Sequence, residues 1–322
     1  MMKHILILFL IFIVSSTNAG ERTKFMIFAD LHHDLIPDGE DRLQVVVKQA
    51  LKQKADFIID LGDFALPSSK SSDVREILDK YPAKVYHTLG NHDVDKNDKQ
   101  TYVDYWNMPA PYYYFDTGSF RFIILDSNFF LDKDSIIKPY EKGNYGKVGE
   151  ADRNFYSQEE VTWLKKALND TTKICILFSH APVNDQYSKI SQNKYIHDII
   201  IHARDNGTRI AAVFGGHIHS DNYHQIDGVN YIQVNSISYI WGGSKFTNME
   251  RYPESIYREY PSLKYTIPFE KPLYAVVEIC SSGKIKIKGT KSRYVQPEPD
   301  EKLLKEKPYP CSPVISDRKL TF

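Results

Sequence analysis

Five apolar runs along this chain each stop on a residue able to bind a metal or carry a proton. Residues 24–29 lead into Asp30-Leu31-His32, and residues 56–61 into Gly62-Asp63. Residues 84–89 lead into Gly90-Asn91-His92-Asp93, residues 173–178 into Ser179-His180, and residues 209–214 into Gly215-Gly216-His217-Ile218-His219. The runs are short, rich in branched apolar residues and without polar alternation, as strands covered on both faces are. In open α/β sheets ligands gather beyond the carboxyl ends of the strands. The pattern therefore predicts that these polar residues meet in one cleft. A single Asp or His at a strand end is most often a cap or a loop hydrogen bond. Five such ends, with Gly supplying tight turns at three of them, make a site.

Helical periods separate the early runs. Residues 42–51 and 74–78 carry apolar positions at helical spacing, and Ser157-Gln158-Glu159-Glu160 is a capping box ahead of Val161, Trp163, Leu164 and Leu168. Residues 196–203 read as another helix. Strand–helix–strand alternation at the start argues for βαβ units. Later strands lack intervening helices: a hairpin signal centres on Thr117-Gly118-Ser119, and residues 231–234, 273–279 and 285–288 add more. The expected class is α/β, with two packed mixed β-sheets flanked by helices in one domain over residues 20–291. Residues 127–156 and 241–269 show no regular period and are candidate functional loops. From residue 292 the chain turns rich in Lys, Glu and Pro and reads as a polar, mobile C-terminal tail to residue 322.

The residue types at the strand ends suit a pair of first-row divalent ions. Imidazole, carboxylate and an amide oxygen together favour zinc, manganese or iron, whereas carboxylates alone would favour magnesium or calcium. The imidazoles of His217 and His219 leave an extended chain on opposite faces, so they aim at different ions more readily than at one. A central carboxylate, Asp63, is placed to bridge.

The series Asp-x-His, Gly-Asp, Gly-Asn-His-Asp, His and Gly-His-x-His, running from Asp30 to His219, resembles the calcineurin-like metallophosphoesterase superfamily. Tyr113-Tyr-Phe-Asp116, residues 122–126 and Trp163-Leu164 resemble its secreted bacterial-type members. The resemblance implies a four-layer α/β/β/α sandwich and two metal sites. Asp30, His32 and His219 would hold the first ion, and Asn91, His180 and His217 the second, with Asp63 between them. His92 would face the substrate, with Asp93 fixing its ring, and His33 would turn away. The implied reaction is hydrolysis of a phosphate ester by in-line attack of a metal-bridging hydroxide. The alternative is a phosphodiesterase acting on cyclic nucleotides, nucleotide diphosphates or phospholipid headgroups. Purple acid phosphatases place a Tyr three residues after the Gly-Asp aspartate; Leu66 stands there, which favours two divalent ions over an iron(III) centre. A monoesterase needs further cations for the substrate dianion, and Lys245, Arg251 and Arg258 are the candidates. Exported nucleotidases of the superfamily carry a second domain for which 322 residues leave no room.

Composition trims the remaining options. Lys plus Arg equals Asp plus Glu, 41 each, so no bulk field favours nucleic acid or an anionic membrane. The expected partner is a small-molecule phosphate ester. Lys3 and His4, the apolar run 5–14 and small residues ending at Ala19 form a secretory signal peptide over residues 1–19, cut after Ala19. The mature chain is then expected to be secreted or periplasmic, with no membrane anchor. Cys175, Cys280 and Cys311 fit no zinc spacing. Cys175 belongs to a buried strand, and Cys280 with Cys311 could pair in an oxidising compartment.

Overall fold

The computed structural model describes residues 20–183 and 191–322, so the leader read at 1–19 lies outside the described residues. In chain order the strands are β1 (Arg22–Phe28), β2 (Phe57–Asp60), β3 (Lys84–His87), β4 (Tyr113–Thr117), β5 (Phe120–Leu125), β6 (Phe129–Leu131), β7 (Ile137–Pro139), β8 (Arg153–Phe155) and β9 (Ile174–Ser179). They continue as β10 (Arg209–Gly215), β11 (Asn222–Ile226), β12 (Val229–Gln233), β13 (Tyr239–Trp241), β14 (Thr266–Pro268), β15 (Ala275–Cys280), β16 (Lys284–Lys288) and β17 (Arg318–Thr321). The α-helices are α1 (Gly39–Gln53), α2 (Ser72–Asp79), α3 (Lys99–Tyr105), α4 (Gln158–Ala167), α5 (Ser191–Asp205), α6 (Glu254–Glu259) and α7 (Glu301–Lys305). No helix among the described residues is long and apolar enough to cross a membrane.

Two six-stranded mixed sheets form the body, ordered β17-β16-β15-β1-β2-β3 and β11-β12-β10-β9-β5-β4. β1, β2 and β3 run parallel, as do β5, β9, β10 and β12. Parallel strands need crossovers, and α1, α2, α4 and α5 supply four of them. The sheets meet through aromatic rings. Phe25 of the first sheet sets its edge against Phe122, Phe178 and Phe214 of the second, at centroid distances of 5.9, 5.9 and 6.2 Å. Alternation along β1 then turns Met26 and Phe28 to the other face of the sheet, and α1 packs on β1. On the second sheet, Ile123, Leu125, Cys175 and Leu177 cluster with Leu164, Leu168, Ile196 and Ile200 of α4, its end and α5. This is the expected sandwich of two mixed sheets between helices.

Local chemistry accounts for several boundaries. The Ser157 hydroxyl caps α4 by accepting from Glu160 N at 3.1 Å. The capping box is only half made, because the Glu160 carboxylate turns to accept from Asp126 N at 2.8 Å instead. Gly118 lies at φ 54° in the β4–β5 hairpin, where the expected turn falls.

Two expectations need correction. Residues 292–322 are not a loose tail. They pair β17 with β16, bridge Tyr294 to Phe269 and bury Ile315. The Lys- and Pro-rich composition hid a strand whose register is set by a partner about thirty residues away. Residues 127–156 hold the sheet β7-β6-β8, and residues 241–269 hold part of the β13–β14 hairpin with α6. Cys175, Cys280 and Cys311 are free thiols.

Candidate active site

The strand ends do converge. Asp30 and His32 follow β1, Asp63 follows β2, Asn91 follows β3, His180 follows β9, and His217 and His219 follow β10. Asp30, His32, Asp63, His217 and His219 all have left-handed backbone, with φ of 55°, 49°, 52°, 69° and 48°. Such conformations cost non-glycine residues of order 1–3 kcal/mol each, and they persist where surrounding structure enforces them. The turns let each side chain fold back over the sheet edge. Gly90 permits the closest approach: a Cβ there would lie 2.2 Å from Asp63 N and Oδ1.

Two donor groups result. In the first, His32 Nε2 lies 3.3 Å from His219 Nε2, and His219 Nε2 lies 3.3 Å from Asp30 Oδ1. In the second, His180 Nε2 lies 3.2 Å from each of Asp63 Oδ2, Asn91 Oδ1 and His217 Nδ1. Asp63 Oδ2 is also 3.7 Å from His32 Nε2, which puts one carboxylate oxygen between the groups. Within each set, Asp30-His32-His219 and Asp63-His180-His217, the donor atoms lie within 4.8 Å of one another. All seven expected ligands are therefore brought together. His33 turns away and contacts the Lys70 carbonyl at 3.1 Å.

The donors fit cations. His180 Nδ1–H donates to the Leu61 carbonyl and His219 Nδ1–H to the Tyr239 carbonyl, both at 2.8 Å. These partners fix the tautomers and leave each Nε2 with a lone pair facing inward. The His219 lone pair then faces Asp30 Oδ1, a buried oxygen with no hydrogen-bond donor among the described residues. Two acceptors held face to face are repulsive unless a cation lies between them. Burial pushes His32 well below its ordinary value, and burial with the neighbouring His180 takes His217 down to about 3. Neutral rings are the form a metal requires. Burial also works against a proton on His180, but Asp63 outweighs it and raises that ring to about 10, so an ion has to displace the Nε2 proton before His180 can present its lone pair.

His92 and Asp93 depart from expectation in one respect. The His92 ring stands beside the first group, 5.4 Å from the His32 ring, with nearly half its side chain exposed. Its Nδ1 pairs with Asp95 Oδ2 at 2.7 Å, not with Asp93. Asp93 is buried and accepts from Gly90 N, Asp63 N and Phe64 N at 2.8, 2.9 and 2.9 Å. The reason is local: residues 92–94 form a single 3₁₀ turn, which brings positions 92 and 95 to one face and points 93 inward. Burial opposes a proton on His92, but Asp63 and the Asp95 hydrogen bond outweigh it and raise the ring to about 9, an effect that solvent at its exposed edge moderates. Burial and the Asp63 and Asp60 carboxylates push Asp93 well above the usual carboxylate range.

Other residues of the site carried no sequence signal. Tyr239 is fully buried, stacks on His32 at 5.3 Å and packs 5.0 Å from His219. Tyr145, from the segment 127–156, places its hydroxyl 3.2 Å from His217 Nε2. The cations expected to assist a dianion are engaged elsewhere. Lys245 pairs with Glu306, Arg258 approaches Glu254, and Arg251 donates to the carbonyls of Pro297 and Thr266.

Comparison with known proteins gives the same frame. The family model of the calcineurin-like phosphoesterases matches residues 23–221. A dimetal phosphatase from Danio rerio is 15% identical and superposes with a TM-score of 0.62, over 93% of this chain and 99% of that one. GAP50, the anchor in the inner membrane complex of Plasmodium, is 14% identical, with a TM-score of 0.52 over 94% of this chain and 89% of that one. No curated protein matches in sequence. A phosphatase and an anchor share this architecture, so function has to be argued from the site.

Proposed function

Because the chain belongs to the calcineurin-like phosphoesterase family, we propose that it hydrolyses small-molecule phosphate esters with a pair of divalent ions, manganese, zinc or iron. Asp30, His32 and His219 would hold one ion, Asn91, His180 and His217 the other, and Asp63 both. The observation that carries the reading is the placement of Asp63 Oδ2, 3.2 Å from His180 Nε2 and 3.7 Å from His32 Nε2. When bound, such ions supply Lewis acidity at a phosphoryl oxygen and lower the pKa of water toward ~7, giving a nucleophile for in-line attack.

The chain's own residues would do the rest. Buried Asp63 and Asp30 balance the cationic charge, and the His92 backbone N–H donates to Asp63 Oδ1 at 2.7 Å. That bond ties the turn bearing His92 to the bridging carboxylate. The His92 ring, oriented by Asp95, is placed at the exposed mouth to stabilise developing charge and to protonate the leaving oxygen. General acid catalysis of this kind is typically worth ~10²–10⁴-fold. Tyr239 closes the inner wall behind His32 and His219 and keeps water from that side. Export through the leader at 1–19 is part of the proposal, and the N-terminal residue of the protein recovered from cells tests it.

The activity is tested by assaying purified protein on p-nitrophenyl phosphate and on bis(p-nitrophenyl) phosphate with manganese, zinc, iron(II) and magnesium. Turnover that follows the added ion supports the reading, and the preferred ester separates a monoesterase from a diesterase. Metal binding without hydrolysis of any phosphate ester in a wider panel would favour an anchor-like role on the same fold.

A further inference from the structure

We propose that Tyr145 is the positioning residue for the second metal site, acting through His217; the inference rests on the two-ion reading above. Three ligand imidazoles have a defined partner on the nitrogen that faces away from the site. For His180 it is the Leu61 carbonyl, just past the end of β2, and for His219 it is the Tyr239 carbonyl, at the start of β13. For His217 it is the Tyr145 hydroxyl, 3.2 Å from Nε2. His217 Nδ1 faces His180 Nε2 at 3.2 Å, so this ring binds through Nδ1 and its Nε2–H donates to the phenol oxygen. A donor–acceptor pair of this kind sets the tautomer and the ring plane.

The phenol can do this because its own segment is held. Lys142 N and Gly143 N donate to the Asn97 and Val94 carbonyls, docking the loop beside the turn that bears His92 and Asp95. The Tyr140 ring meets Tyr145 edge-on at 5.0 Å, and Tyr140 Oη accepts from Asn154 N at 3.0 Å. The Arg153 guanidinium covers the Tyr145 face at 4.3 Å, and its Nε donates to the Val148 carbonyl at 2.9 Å. Tyr145 thus lies between the His217 and His92 rings, 6.0 and 6.2 Å from their centroids. The excursion 127–156 completes the second metal site as well as walling the cleft.

The test is stepwise zinc titration of wild type, Tyr145→Phe and Tyr145→Leu against a competing chelator, read as two site affinities. Nitrogen-15 NMR of the His217 ring in the zinc-loaded protein runs beside it. The expectation is that Tyr145→Phe weakens the second ion by roughly 10–100-fold, leaves the first unchanged and speeds exchange of the His217 Nε2 proton. Tyr145→Leu should weaken the second ion at least as much. Equal second-site affinity in wild type and Tyr145→Phe overturns the inference alone, as does a raised KM at unaltered zinc affinity, since the phenol would then contact substrate. Loss confined to Tyr145→Leu also overturns it, because ring packing and not the hydroxyl would carry the effect. A wild-type chain that binds no zinc overturns the two-ion reading itself.

Discussion

The exchange of roles between Asp93 and Asp95 yields a test in which stability and activity should separate. Asp93→Ala removes the acceptor for three buried amides, those of Gly90, Asp63 and Phe64. An orphaned buried donor costs about 1–3 kcal/mol, and taking the lower half of that range for two donors, with water reaching the third after relaxation, gives a loss of about 2–4 kcal/mol. For a chain of this size that corresponds to a fall in melting temperature of roughly 3–7 °C. Asp95 is more than a third exposed and its side chain meets the His92 ring. Asp95→Ala should therefore stay within about 0.5 kcal/mol of wild type while losing turnover by up to ~10²-fold, as a misplaced catalytic ring does. Urea unfolding followed by tryptophan fluorescence gives the first quantity, and steady-state rates at saturating metal give the second. If Asp93→Ala unfolds within 1 kcal/mol or so of wild type, the amide-capping role is wrong. If Asp95→Ala keeps full turnover, Asp95 does not orient the acid.

Three further outcomes are expected. His92→Ala should keep two ions per chain by elemental analysis while turnover falls by ~10²–10⁴-fold; unchanged turnover would remove His92 from the chemistry. Asp63→Ala should lose metal itself, and a variant that still holds two ions tightly would show that Asp63 does not bridge. Away from the site, the Arg121 hydrogen bonds hold the Asp116 carboxyl below its usual range against a smaller opposing effect of burial. A depressed carboxylate adds stability above its unfolded pKa and loses it as pH falls through the folded value. The urea midpoints of wild type and Asp116→Asn should thus differ most at neutral pH and converge below about pH 4; a gap that widens in acid would contradict the assignment.

The convergence of the site's side chains was legible in the sequence because each sits where a buried run stops, and such runs are visible in a single stretch of chain. Geometry added what spacing does not carry. The left-handed turns at Asp30, His32, Asp63, His217 and His219 follow from convergence of two sheets, and these side-chain types give no local warning of them. The family resemblance implied Asp93 as the partner of His92; the 3₁₀ turn gives that place to Asp95. Tyr145 is 72 residues from His217 and Tyr239 is 20 from His219, in segments with no period to read. β17 was missed for the same reason, since its pairing with β16 exists only across the chain. Residues whose role depends on a distant partner are those that sequence patterns conceal.

The central claim is that Asp63 joins two cation sites into one phosphoesterase centre. It is tested most directly by elemental analysis of the purified chain together with phosphoester hydrolysis before and after chelation. The expected result is two divalent ions per chain, with hydrolysis abolished by chelator and restored only as the second equivalent of metal is returned. Hydrolysis that survives complete removal of metal, or that saturates at one equivalent, would contradict it.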